Sequence, residues 1–202
     1  MKHTHIDTSL IIESMIEPQS RVLDLGCGDG SLLSSLIARK RVEGTGVEIS
    51  HDMVASCLAK GLCVFQADID KGLSHWEDAT FDYVILKSTL EVIHRPYELI
   101  LEMLRVGRHA LVTVSNFGYL ANRIHTLLTG RMTPRIRAFS PWYETSVIRY
   151  VCMDEFFEAL RRSGVRISEA RYVTPFGSVS RKKPLFANLF VVEAVFLLTR
   201  TP

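Results

Sequence analysis

The sequence predicts an α/β fold: a doubly wound, mostly parallel seven-stranded sheet with helices on both faces and a C-terminal antiparallel hairpin. Three observations predict it. Apolar strand-like runs alternate with stretches of helical spacing from residue 10 to about residue 114, as they do in a parallel sheet. A glycine cluster follows directly on the first strand-like run. The last two strand-like segments are separated only by residues 175–187, too little for a crossover helix, so they pair antiparallel.

The elements follow in order. Residues 10–17 read as a helix that stops at Pro18, which has no N–H to extend it. Residues 21–25, Arg-Val-Leu-Asp-Leu, form a buried strand, and Leu32, Leu33, Leu36 and Ile37 give residues 31–40 a helical face. A strand at 44–49, a helix at 52–60 and a strand at 63–68 come next. Two turn-like points, at 70–72 and 77–79, lead to a fourth strand at 81–86, a helix at 96–105 and a fifth strand at 110–114. Then the rhythm changes. Residues 116–150 read as a lid or cap insertion in a single domain spanning 1–202, with a helical piece at 119–128. A helix at 153–163 and strands at 166–174 and 188–199 close the chain.

Composition narrows the class. At 202 residues the chain is long enough for one substantial core, and 47% of it is hydrophobic. A net charge of +2 gives no general reason to expect nucleic acid or an anionic membrane. Cys27, Cys57, Cys63 and Cys152 form no CxxC pair; they read as mostly buried thiols, with no metal site and no disulfide framework. The first seven residues lack the apolar run of a signal peptide, and Glu193 interrupts the apolar stretch at 189–198. The expectation is a soluble, cytoplasmic protein.

The strongest signal is Val22-Leu23-Asp24-Leu25-Gly26-Cys27-Gly28-Asp29-Gly30. The glycines let a ligand lie against bare backbone. Their spacing is GxGxG, with Ser31 where a dinucleotide fingerprint needs its last glycine, which disfavours a dehydrogenase. Asp24, two positions before the first glycine, suits a cationic group such as an amino-acid ammonium better than a pyrophosphate. Glu48, at the end of the second strand, can accept both hydroxyls of a ribose. Asp68, at the end of the third, can accept from the exocyclic amine of a base, with Ile69 packing on the ring. Singly, each acid could equally cap a helix or solvate a loop; in order, they converge on one edge of the sheet.

These stretches resemble the Rossmann-like class I S-adenosylmethionine-dependent methyltransferases, and more narrowly the MetW family of methionine-biosynthesis proteins. The broad resemblance rests on residues 21–30, 46–49 and 81–85. The narrower one rests on Glu102-Met-Leu-Arg-Val-Gly-Arg108, Asn116-Phe-Gly118, Gly130-Arg-Met132 and Trp142-Tyr-Glu-Thr145, in that order. It implies S-adenosylmethionine as cofactor, S-adenosylhomocysteine as product, and homoserine O-acyltransferase as an associated enzyme. By the same resemblance Asp24, Gly26 and Gly28, with Leu25 and Cys27 between them, hold the methionine part. Glu48 and Ile49 take the ribose side, Asp68 and Ile69 the adenine, and Lys87 lines the methyl-transfer site. The chain departs from the family pattern at Val147 and Arg149, where an Asn and a His are usual, and at residues 87–91, Lys-Ser-Thr-Leu-Glu.

Methyl transfer is a direct displacement that needs a base only for a protonated nucleophile. Of the candidates, His94 reads as a surface loop residue, His109 lies at the wrong edge of the sheet, and His125 sits in the helical piece after Asn116. None is assigned as a catalytic base. The 116–150 section carries Arg123, Arg131, Arg135, Arg137 and Arg149 against one acid, Glu144. Phe117, Tyr119, Phe139, Trp142, Tyr143 and Tyr150 interleave with them. It suits a protein partner or a lid over a small-molecule substrate equally, and nucleic acid least. Two function classes follow: a methyltransferase acting on a small acceptor, and a regulatory or accessory subunit of the acyltransferase.

Overall fold

The computed structural model describes residues 7–131 and 145–200. Of the residues singled out above, 1–6, Met132, Arg135, Arg137, Phe139, Trp142, Tyr143 and Glu144 lie outside them.

Helix α1 is Thr8–Met15, strand β1 Arg21–Leu25, α2 Ser31–Lys40, β2 Glu43–Glu48, α3 His51–Ala59 and β3 Cys63–Gln66. They are followed by β4 Phe81–Leu86, α4 Pro96–Val106, β5 Gly107–Ser115, α5 Leu120–Thr129 and α6 Met153–Arg162. Strand β6 Val165–Val173, β7 Val179–Ser180, α7 Ala187–Phe190 and β8 Glu193–Arg200 complete the chain. The sheet order is β3-β2-β1-β4-β5-β8-β6-β7. The first five strands run parallel, and β8 lies antiparallel between β5 and β6. The doubly wound sheet and its C-terminal antiparallel pair are therefore as the sequence implies.

Four details differ. Among the described residues the sheet has eight strands rather than seven, because residues 179–180 of the return loop bond back to Val173 and Tyr172. The last strand begins at Glu193, not 188, since Ala187–Phe190 forms a short helix first. The third strand stops at Gln66: Asp68 caps a 3-10 turn at Ile69–Lys71, accepting the Asp70 N–H at 3.0 Å. Helix α1 starts early because the Asp7 carboxylate caps the Ser9 N–H at 2.9 Å.

Period two along the strands decides what each face holds. Leu23 and Leu25 of β1 join Val84 and Leu86 of β4 in the larger core, under α4 and α6. Val22, Tyr83 and Ile85 point the other way, into the core built by α1 and α2. Asp24 shares that second face with Val22, and Lys87 continues it beyond Ile85.

In the larger core Phe196 is fully buried. Phe156 stacks on it at 5.0 Å between ring centroids, and Phe157 and Tyr172 meet it edge-on at 5.7 and 5.9 Å. Removing that ring leaves a cavity that three aromatic neighbours cannot all close. Phe196→Ala is expected to cost about 3–5 kcal/mol in urea unfolding; a loss below about 1 kcal/mol would contradict this packing.

Candidate functional site

The site lies at the carboxyl ends of the parallel strands, where chain order reverses between β1 and β4. The register sets Leu25 opposite both Val47 and Leu86, so the residues after each strand end at one level. A cavity of about 440 Å³ opens there. Its walls include Asp24, Gly26, Cys27 and Gly28 from the β1 end, Lys87 and Ser88 from the β4 end, Asp7, Ser9 and Glu13 from α1 and its cap, and Ser35 and Arg39 from α2.

The glycine turn leaves space open beside its backbone at Gly28. Gly26 and Gly28 have φ of +69° and +57°, values that glycine adopts without strain. A Cβ on Gly26 would stand 2.9 Å from Thr89 Oγ1, whereas one on Gly28 would meet nothing within 4 Å. The backbone at Gly28 thus faces open space. Its N–H donates to Glu48 Oε2 at 2.9 Å, while Glu48 Oε1 accepts from the N–H groups of Ile49 and Ser50 at 2.8 and 2.9 Å. A carboxylate has about four acceptor sites. Glu48 therefore ties the turn to the start of α3 and has capacity for one more donor, not the two that both ribose hydroxyls would need.

Asp24 is 2% exposed, and among the described residues no group donates a hydrogen bond to its carboxylate. Burial pushes its pKa from an ordinary 3.8 to about 7; Lys87 pulls against that rise and Glu48 adds to it. The Cys27 thiol is also raised, chiefly by burial. Lys87 donates to Ser9 Oγ and lies 3.6 Å from Asp7 Oδ1. Burial alone would raise the Asp7 carboxyl, but hydrogen bonds from Ser9 and the charge of Lys87 hold it below its ordinary value.

The structure does not gather every residue that the sequence suggested. Asp24, Gly26, Cys27, Gly28 and Lys87 line one cavity, and Glu48 reaches it through Gly28. The Leu25 side chain is buried in the larger core, which leaves only its backbone for a ligand. Ile49 is 63% exposed and presents an apolar surface beside Glu48. Asp68 is engaged as a cap, and Ile69 packs partly against the core. Of the cysteines, Cys27 and Cys57 are buried but Cys63 is exposed, because it sits on the outermost parallel strand. His94 is exposed and pairs with Asp70 at 2.9 Å. His109 stacks on Tyr83 at the entrance of β5, and His125 does not line the cavity.

Several residues in and around the cavity take positions that no local pattern in the sequence announces. Ser88 has φ of +58°, its N–H is held by Thr113 Oγ1 at 2.7 Å, and its hydroxyl is buried without a partner. Asp7 and Ser9 reach Lys87 from the other end of the chain. Arg149, one of the departures, binds the carbonyls of Ile93 and His94, while the Ile148 and Arg149 N–H groups donate to the Glu91 carbonyl. That residue is an anchor for the segment after residue 145.

Comparison with known proteins gives the chain a family and its fold a set of relatives. The family model for "Methionine biosynthesis protein MetW" matches residues 6–198. A bifunctional methionine biosynthesis protein MetXA/MetW of Rhodopirellula baltica is 35% identical over 174 residues, 82% of this chain. The chain spans only 28% of that relative's length. Among solved structures, a Thermotoga maritima S-adenosylmethionine-dependent methyltransferase, described as a possible histamine N-methyltransferase, aligns with a TM-score of 0.69 at 16% identity. That alignment covers 96% of this chain and 88% of that one. The [4+2]-cyclase SpnF aligns with a TM-score of 0.66 at 17% identity, covering 96% and 80%. At such identities these two likenesses establish the fold alone. Among the described residues no helix is long and apolar enough to cross a membrane.

The Asp24 pKa has a consequence for stability. The folded chain keeps a proton on Asp24 that the unfolded chain releases near 3.8, so stability falls as pH rises from about 4 to 7, and the full cost is present above 7. Asp24→Asn removes the charge. It should stabilise the fold at pH 8, on the order of 2–4 kcal/mol, and change it little at pH 4.5. Urea unfolding at both pH values checks this; an equal effect at the two would contradict the burial of a titrating carboxyl.

Proposed function

Because the chain belongs to the MetW family of methionine-biosynthesis proteins, we propose that it binds S-adenosylmethionine in the cleft between β1 and β4 and transfers its methyl group to a small acceptor. The observation that carries this reading is the buried Asp24 carboxylate beside the bare backbone of Gly28, which is itself tethered to Glu48. A desolvated carboxylate with no donor of its own favours a cationic ligand group. The methionyl ammonium supplies one.

The remaining assignments follow from reach and exposure. Glu48 offers its last acceptor position to a ribose hydroxyl. Ile49 gives the adenine an apolar surface, and Asp68 retains acceptor capacity beyond the Asp70 N–H. The bound cofactor supplies a methyl group activated by a sulfonium. The chain's contribution is to hold that end of the cleft against water with α1 and the Ser88 turn, and to fix the acceptor in line. The acceptor arrives with a nucleophile that needs no strong protein base, consistent with the positions of His94, His109 and His125.

The Rhodopirellula relative favours a second reading. As a bifunctional MetXA/MetW protein it joins a MetXA portion and a MetW portion in one chain, and a fusion suits a pair that works in contact. In this reading the chain is a regulatory or accessory subunit of homoserine O-acyltransferase. Cofactor binding then biases the acyltransferase between states rather than feeding a transfer reaction.

Calorimetric titration with S-adenosylmethionine tests the shared premise. Asp24→Ala should weaken binding at least about tenfold, the loss of one charge-assisted hydrogen bond, while circular dichroism shows the fold retained. Unchanged affinity would refute the assignment. Assay of the acyltransferase with and without the chain separates the two readings: a rate change independent of methyl transfer supports the subunit.

A further inference from the structure

Two opposite charges face the same cavity without pairing. Asp24 ends the buried face of β1, and Lys87 follows the end of β4 on that face. The register places Asp24 beside Ile85, so strand spacing and rise set the Cα atoms of Asp24 and Lys87 roughly 8 Å apart. Among the described residues the ion pair that Lys87 makes is with Asp7, not with Asp24. An ammonium has three donors; Ser9 Oγ takes one and Asp7 lies near a second, which leaves the third for the cavity. The other cation in the wall, Arg39, is 62% exposed and lies 3.6 Å from Glu13, so it stands at the rim. Next to Lys87, the buried Ser88 hydroxyl lacks a partner.

This gap between a carboxylate and an ammonium matches an α-amino-acid zwitterion. We infer that Lys87 is a specificity-determining residue that binds the ligand's α-carboxylate, with Ser88 as a second donor, while Asp24 receives the α-ammonium. Lys87 then belongs to the amino-acid end of the ligand and not, as the family resemblance implies, to the methyl-transfer site. Its bonds to Asp7 and Ser9 make the first turn of α1 the outer brace of that subsite. The inference rests on the reading that this cleft holds S-adenosylmethionine.

The test is calorimetric titration of the full chain with S-adenosylhomocysteine and with its decarboxylated analogue, which keeps the amine but lacks the carboxylate. The wild-type chain should bind S-adenosylhomocysteine about tenfold to a hundredfold more tightly, as expected for a charge-assisted hydrogen bond. Lys87→Met should erase that preference by weakening only the carboxylate-bearing ligand, and Lys87→Arg should keep part of it. Lys87→Gln, which can still reach Ser9, replaces the methionine variant if that one does not fold. Equal wild-type affinities, or a loss in Lys87→Met that is the same for both ligands, would overturn the inference and leave the cofactor reading standing. A wild-type chain that binds neither ligand would overturn both.

Discussion

A carboxylate held almost out of water at the end of the first strand governs the rest of the site. Charge in that position is costly without a partner, and the nearest cation, Lys87, is already engaged with Ser9 and Asp7. The chain keeps this arrangement because period two in β1 makes Asp24 share a face with Val22 while α1 and α2 close over it. The glycine turn is coupled to the same point. Glu48 fixes the Gly28 N–H, so the end of β2 sets how the backbone is presented beside Asp24. Disturbing any one of Asp24, Glu48 or Lys87 changes the electrostatic environment of the other two.

Much of this was legible before any coordinates, for physical reasons. Asp24 and Glu48 close strands whose apolar runs are unambiguous, so their convergence follows from a parallel sheet. Lys87 follows the fourth such run. What was not legible depends on contacts between distant parts of the chain. Nothing local says that Ser9 meets Lys87, 78 positions away, or that Arg149 grips the carbonyls at 93 and 94. Ladder hydrogen bonds and caps, not the apolar pattern, set the strand ends: Asp68 looks like a strand terminus and is a cap, and residues 188–192 look like strand and include helix. The eighth strand is two residues long, too short for any periodicity.

The fold leaves activity open. The same architecture is shared by a methyltransferase of Thermotoga maritima and by a [4+2]-cyclase, so chemistry resides in the site and not in the fold. Here the site offers a desolvated carboxylate, a braced ammonium and one spare acceptor position on Glu48, which the proposed ligand would meet with its amino-acid end and its ribose. The chain belongs to a methionine-biosynthesis family; the partner that the fused relative suggests is part of the proposal, and both proposed readings use the same cleft.

The most direct measurement is therefore a crystal structure of the chain with S-adenosylhomocysteine. The account predicts the methionyl end between Asp24 and Lys87, a ribose hydroxyl on Glu48, and the adenine over Ile49. Ligand bound elsewhere, with the β1–β4 cleft left to solvent, would contradict it.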